Sequence, residues 1–465
     1  MTVIVIRHAE VDGVPDLDVR LRDGHVDQLG RNLSARDAAE VIDAHGGALI
    51  PGLHDHHLHL HAIAADATST RCGPPTVQDR AALATALAAA PGDEHGWVRG
   101  TGYVDTVAGD LDAAALDALY SARPVRIQHR SGAMWILNTA ALAAAGISGP
   151  AHPGVECGTD GLPTGRIWRA DPWLRTRLPR TGPPRLDGVG TTLTGFGITG
   201  VTDATPDLSD RSHAALVSAV TDGVLPQRVS LLGAPLGSAQ EYPDRVGAGP
   251  YKIVLADSGL PLFDDLVARV RAAHADRRAV AVHCVTREAL VLLMAALEVA
   301  GPYPGDRIEH AAIVPADIID ALASRGVRVV TQPGFLAQRG SYYRDHLADD
   351  DLADLYRCRT LLDAGVGVAL SSDAPYGPMD PWAVIAAAVH RRPDAGEVLG
   401  PEECLSPTQA LDAYLAPLDD PGGRPRRVQP GGPADLVLLH EPLRDGLAAG
   451  SASVVRRTFL TRAAT

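Results

Sequence analysis

Short runs of apolar residues punctuate this chain, and the segments between them change character twice. Near the start, Val3 to Ile6, then Leu17 to Arg22 and His25 to Leu29 around Asp23-Gly24, read as short strands with a hairpin at Asp-Gly. Residues 428–465 look similar, with Ala434-Asp435-Leu436-Val437-Leu438-Leu439 after a Pro430-Gly431-Gly432-Pro433 turn. Two β-rich ends flanking a central unit predict a small β-sandwich domain assembled from residues 1–50 and 425–465. Between them, runs rich in Val and Ile alternate with helical stretches rich in Ala and Leu. The runs include 200–203, 251–255, 279–283, 307–310, 327–331 and 366–373; the helices include 263–274, 287–300, 315–325 and 352–364. This alternation predicts parallel β/α units, and the economical α/β solution over residues 51–424 is a (β/α)8 TIM barrel. Residues 68–190 are too long for one crossover and predict an insertion of extra helices and loops over the barrel mouth.

At 465 residues the chain exceeds a usual single domain, which suits one large barrel plus an accessory module. Its net charge of −14, with no basic patch, argues against a nucleic-acid partner. No run reaches the roughly 18 apolar residues of a membrane span, and the apolar start, Met1 to Ile6, is too short for a signal peptide. Five widely spaced cysteines without CxxC suit reduced thiols and a cytoplasmic location.

Candidate chemistry begins at Pro51-Gly52-Leu53-His54-Asp55-His56-His57-Leu58-His59. Residues i and i+2 of a strand share a face, so His57 and His59 aim two imidazoles at one point while His56 faces away. Further candidates follow at strand ends: His283, His310 and Asp373, with Lys252 inside the strand Tyr251-Lys252-Ile253-Val254. In a barrel of this kind, strand ends are where active sites form. Four histidines, an aspartate and a lysine suit a site for two divalent metal ions if Lys252 carries CO2 as a carbamate, a carboxylate analogue that can bridge two cations. Two such ions can hold a bridging hydroxide at neutral pH and polarise a carbonyl.

These motifs resemble those of the amidohydrolase superfamily, and within it the YtcJ-like branch, also called amidohydrolase family 3. Pro51 to His59 looks like the opening PGxxDxHxH. Trp97 to Tyr103 and Trp135 to Leu142 resemble blocks of the branch's insertion, and Arg307 to His310, Ser371 to Pro375 and Gly432 to Val437 resemble its later signatures. The resemblance implies a metal-dependent hydrolase of non-peptide C–N bonds (amide, N-formyl, N-acyl or cyclic amide) in a small molecule. It implies that His57, His59 and Asp373 bind the more buried metal and that His283 and His310 bind the second. Carboxylated Lys252 would bridge both, and Asp373 would be the catalytic residue that carries the proton to the leaving nitrogen. Zinc suits the N/O donors, and manganese, cobalt or iron would also fit.

Two departures bear on substrate. Ala133 follows Ser131-Gly132 where many relatives carry histidine, and Cys284-Val285-Thr286-Arg287 stands where the branch often shows Gly-Asp. His61, His129 and Arg130 are candidates to compensate for the first. Trp135, Asn138, and Arg339 and Tyr342 in the Gly-rich loop after Thr331-Gln332-Pro333 complete the substrate-binding candidates. By alternation Cys284 and Glu309 point away from the neighbouring ligands, which predicts packing for Cys284 and no catalytic role for Glu309. Asp55 is expected to make a supporting hydrogen bond. The alternative within the superfamily is a one-metal deaminase, or an imidazolone or cyclic-imide hydrolase. Outside enzymes, the alternative is a barrel kept as a binding scaffold, against which every ligand position is filled. A homodimer is the oligomeric expectation.

Overall fold

The computed structural model describes residues 2–179, 182–237, 241–256, 259–393 and 395–461. They fall into two compact units, 1–60 with 186–465, and 61–185.

The first unit holds the parallel strands, numbered here in chain order. One sheet contains β1 (Leu53–Leu58), β2 (Ile198–Asp203), β3 (Arg228–Leu231) and β4 (Val246–Ala248), paired in that order. A second contains β5 (Tyr251–Val254), β6 (Val280–Cys284), β7 (Arg307–His310), β8 (Arg328–Thr331) and β9 (Val368–Leu370), also paired in order. Every residue of β1 and of β7 is buried, as expected of parallel strands covered on both faces. Backbone hydrogen bonds join the sheets at both edges: Lys252 N–H donates to Leu232 O at 3.1 Å, and Asp373 N–H to His57 O at 2.8 Å. The chain is thus α/β with parallel sheets.

Local chemistry explains the intervening helices. The helix Arg287–Ala300 starts where the Thr286 side chain accepts from Ala289 N–H and ends at Gly301, whose φ is 88°. Its buried Leu290, Leu293, Met294 and Leu297 repeat at helical spacing and join the core behind β5 to β8. Burying each contributes about 1.5–3 kcal/mol. The segment Cys284-Val285-Thr286-Arg287 therefore has a local structural use: Cys284 packs in that core, Thr286 caps, and Arg287 pairs with Asp351 at 2.7 Å and Asp354 at 3.1 Å.

Both chain ends contribute to a smaller β region. The hairpin Val14–Arg22 to His25–Gly30 turns at Asp23 and Gly24, both at positive φ as its two-residue turn requires. It pairs with Val3–Val11, which adds Glu40–Asp43 in parallel. Leu436–Leu439 pairs with Val455–Phe459 and with Leu49–Pro51. Ile6, Val19, Val26, Leu49, Leu436, Leu438 and Phe459 share one apolar core.

Three local expectations are corrected. The second unit is no collection of helices and loops: it carries a mixed six-stranded sheet built from Thr70–Arg71, Val98–Tyr103, Val125–His129, Met134–Leu137, Pro163–Trp168 and Val155–Cys157. Their short length hid these strands among alanine-rich helical segments. The Gly-rich segment after Pro333 is the helix Gly334–His346, because its glycines serve close packing: a Cβ at Gly340 would stand 2.4 Å from Pro393 Cβ. The helix expected over 352–364 is broken between Asp349–Ala353 and Cys358–Asp363. There Tyr356, at φ 48°, donates its N–H to Ala312 O at 2.7 Å.

Candidate metal centre

His57 is the penultimate residue of β1 and His59 lies just beyond its end. The turn that follows is held by Asp203 at the end of β2, whose carboxylate accepts from Leu60 N–H at 2.8 Å and Thr205 N–H at 3.1 Å. Each imidazole is oriented through Nδ1. His57 Nδ1 hydrogen-bonds Glu309 Oε2, and His59 Nδ1 lies 3.3 Å from Thr205 Oγ1. Both Nε2 atoms then face Asp373 Oδ1, at 3.6 Å from His57 and 3.2 Å from His59. The three ligand atoms lie within 4.8 Å of one another. Among the described residues, His57 Nε2 is buried without a hydrogen-bond partner. A buried imidazole nitrogen aimed at a carboxylate and a second imidazole is the donor set that a divalent cation satisfies, so the residues fit a metal.

Asp373 follows β9 and adopts φ 52°, a conformation rare outside glycine that marks functional constraint. Burial alone would raise its pKa, but His59, His310 and His57 hold the carboxyl well below its ordinary value. Burial, reinforced by Lys252, keeps His57 neutral, as a metal ligand must be. Asp55 makes the supporting bonds expected of it: Oδ1 accepts from His57 N–H at 3.1 Å and Ser372 N–H at 3.2 Å, while burial pushes its pKa to about 7.

His310 ends β7 with its ring 4.8 Å from that of His57 and 4.4 Å from that of His283. Its Nδ1 donates to Gln332 Oε1 at 2.8 Å, and Gln332 Nε2 donates to Ser371 Oγ at 2.9 Å, which leaves His310 Nε2 for another partner. Lys252 is buried within β5, and burial lowers its pKa from the usual lysine value in spite of Glu309 and Asp373 nearby.

The contacts of Glu309 with His57 and of Gln332 with His310 were not foreseen. Strict alternation pointed Glu309 away from His310, but His310 has φ 71° and Ala311 φ 44°, so the alternation ends there. The position of Gln332 just after β8 was the available signal for it.

Of the substrate-binding candidates, His61, His129, Arg130, Trp135 and Asn138 fall in the second unit, and Arg339 and Tyr342 in the first. In the second unit, Asn138 is fully buried and caps the helix Thr139–Ala144. Its oxygen accepts from Val125 N–H at 3.0 Å and Ala141 N–H at 2.9 Å, and its amide donates to Tyr120 O at 3.3 Å and Arg123 O at 2.9 Å. Its side-chain amide is thus fully engaged with backbone groups. Trp135 is buried, donates to Asp171 Oδ1 at 2.8 Å, and lies under the guanidiniums of Arg99 and Arg126. His129 Nδ1 pairs with Ser131 Oγ at 2.8 Å, and His61 lies half-buried in the helix Leu60–Ala67. In the first unit, Arg339 donates to Tyr376 O at 2.9 Å, close to the metal centre because the Tyr376 ring lies 5.6 Å from that of His59. Tyr342 is 51% exposed and stacks on His346.

Parallel α/β architecture places the clustered histidines and a carboxylate beyond the strand ends, a donor set of the kind that metal-binding hydrolases use. The chain belongs to the amidohydrolase family, whose model matches residues 40–458. It is a hydrolase acting on carbon–nitrogen bonds other than peptide bonds. It is 26% identical over 425 residues to the putative amidohydrolase YtcJ of Bacillus subtilis (strain 168), covering 81% of this chain and 80% of that protein. A shorter stretch of 137 residues is 31% identical to the N-substituted formamide deformylase of Arthrobacter pascens, covering 29% of this chain and 25% of that one. In fold it resembles an uncharacterized metal-dependent hydrolase from Pyrococcus horikoshii, with a TM-score of 0.75 at 19% identity, covering 95% of this chain and 98% of that one. Among the described residues no helix is long and apolar enough to cross a membrane.

Proposed function

We propose that the protein hydrolyses a small N-formyl, N-acyl or cyclic amide at a centre for two divalent metal ions, with zinc the first candidate. The observation that carries this reading is the convergence of His57 Nε2, His59 Nε2 and Asp373 Oδ1. These three residues would hold the more buried ion, with His310 and His283 holding the other. Lys252, a buried amine beside both, would bridge them as its carbamate. A bound divalent ion would supply Lewis acidity towards the substrate carbonyl and lower the pKa of water. The chain's own contribution is the proton path: Asp373, ionised and buried, takes a proton at its carboxylate and returns it to the departing nitrogen. Amide cleavage needs that step because an unprotonated nitrogen leaves poorly.

The barrel reading belongs to the same proposal. Strands β1–β3 of the first sheet and β5–β9 of the second supply eight parallel strands, with β4 as an extra strand paired to β3, and the Lys252–Leu232 and Asp373–His57 backbone bonds lie at the two seams where a (β/α)8 barrel would close. The shared apolar core of the two chain ends supports a β-sandwich beside it. The likeness to the formamide deformylase favours N-formyl substrates for the first screen.

A one-metal reading has one observation in its favour: among the described residues the compact group is His57, His59 and Asp373 alone. Against a deaminase, Glu309 is engaged by His57 and Arg307, not presented as a proton donor to a heterocycle. The test is hydrolysis of a panel of N-formyl and N-acyl amines by zinc-loaded and chelator-stripped protein. Formate or carboxylate release that disappears on stripping and returns with zinc supports the reading. Ammonia release from aminoheterocycles, with no amide turnover, would replace it with deamination.

A further inference from the structure

We propose that Glu309 is the positioning residue of the metal centre, acting through His57 and held in that task by Arg307. The inference rests on the proposed metal reading and adds a residue to it. Glu309 is wholly buried at the penultimate position of β7. One carboxylate oxygen accepts from His57 Nδ1, and the other accepts from Arg307 Nε at 2.5 Å. Arg307, also buried, donates through Nη2 to His56 O at 3.2 Å. The contacts therefore form a closed circuit, from His57 to Glu309 to Arg307 and back to the peptide that precedes His57.

The circuit has two physical consequences. A carboxylate on Nδ1 fixes the imidazole as the Nδ1–H tautomer, so the lone pair sits on Nε2, the atom that faces His59 and Asp373. It also makes that nitrogen a stronger donor to a cation. Arg307 supplies the positive charge without which a buried carboxylate would be costly. Because β1 and β7 belong to different sheets, the circuit also places His57 relative to His310, which ends the same strand as Glu309.

A purely structural ion pair would hold the sheets together without affecting the imidazole, and two measurements separate the cases. The first is zinc affinity, by competition with a chromophoric chelator, in wild type, Glu309→Gln and Glu309→Asp. Positioning predicts a loss of about 10–100-fold in Glu309→Gln; affinity equal to wild type overturns it. If Glu309→Gln does not fold, Glu309→Asp decides, since its shorter reach keeps the charge but breaks the contact: a comparable loss supports positioning and unchanged affinity overturns it. The second is the 15N spectrum of the His57 ring in metal-free wild-type protein. A proton on Nδ1 supports the assignment, and a proton on Nε2 overturns it even if no zinc binds. Failure of the metal reading itself looks different: His57→Ala would then bind zinc as wild type does.

Discussion

His59 and Asp373 face each other with Nε2 of the imidazole 3.2 Å from Oδ1 of the carboxylate, across a junction stitched by their own backbones. His59 N–H donates to Ala374 O at 2.9 Å, and Asp373 N–H donates to His57 O at 2.8 Å. The side chains are thus set by paired main chains, which is how a ligand pair is held without long flexible reach. Asp373→Asn keeps the shape of the side chain and removes its charge and its capacity to take a proton. Its kcat for an amide substrate is expected to fall by on the order of 10^2–10^4, the usual range for a positioned acid–base group, with weaker metal binding beside it. Steady-state kinetics with elemental analysis of the same sample check both; an unchanged kcat removes Asp373 from the proton path.

Metal removal has a second consequence. A ligand that binds only the folded state stabilises it by an amount set by its concentration relative to Kd, about 4 kcal/mol at a thousandfold excess. Stripping with a chelator is therefore expected to lower Tm, and added zinc to restore it. The double variant His57→Ala/His59→Ala is expected to show the same Tm with and without zinc. A Tm that rises with zinc in the double variant as it does in wild type would place the bound ion elsewhere.

Asn138 separates a structural role from a substrate-binding one. Replacement by alanine leaves two buried backbone N–H groups and two carbonyls without their partners, at a cost of about 1–3 kcal/mol for each group that finds no substitute. Asn138→Ala is expected to lower Tm and the midpoint of urea unfolding. A variant as stable as wild type but with a raised KM would return Asn138 to the substrate.

The legible part of this molecule was its periodic part. The strand over 280–284 and the helix over 287–300 could be read because burial on both faces or on one helical face leaves a pattern of residue types. The Asp23-Gly24 hairpin could be read because its turn demands positive φ at both residues. His57 and His59 were legible from strand geometry, and Asp373 from its place after an apolar run. What escaped were contacts between segments far apart in sequence and departures from regular backbone. Glu309 reaches His57 from a different sheet, and positive φ at His310 cancels the alternation that seemed to exclude it. Asn138 sat in a block that resembled a pocket motif, yet its surroundings are backbone groups that no periodicity reports.

His54, on the β1 face opposite His57, gives a pH signature. Burial, with Arg426 and His56 adding to it, holds its pKa well below 6.5, while Nδ1 lies 3.1 Å from Ala416 O. In the unfolded chain the same ring protonates near pH 6.5, so below that pH the unfolded state binds the extra proton. The stability contributed by the neutral ring is therefore fully present above about pH 6.5 and is lost as pH falls towards the depressed folded-state pKa. One such histidine contributes a slope of about 1.4 kcal/mol per pH unit over that window. Urea unfolding of chelator-treated protein between pH 5 and 8 is expected to show a shallower slope in His54→Gln by this amount. Parallel slopes would mean that His54 is protonated in the folded state.

Lys252 decides between the two-metal and one-metal readings. It lies in the middle of β5, buried, where desolvation disfavours the ammonium form. The neutral amine is the form that can add CO2, and the resulting carbamate would replace a cation beside the metals with an anion that ligates both. Native mass spectrometry of wild-type protein is expected to show about two metal ions per chain and the added mass of one CO2. Lys252→Ala is expected to lose the CO2 and at least one metal, because the carbamate oxygens that would ligate both ions are gone. Acetate, small enough to enter the space left by the side chain, is expected to restore part of the metal content in that variant, since it supplies the missing oxygen pair without the covalent link. Two metals retained in Lys252→Ala without acetate would show that the bridge is made by another group, with water and Asp373 as the remaining donors. One metal and no CO2 in the wild type would remove the bridging role altogether and bring the centre formed by His57, His59 and Asp373 forward as a one-metal site.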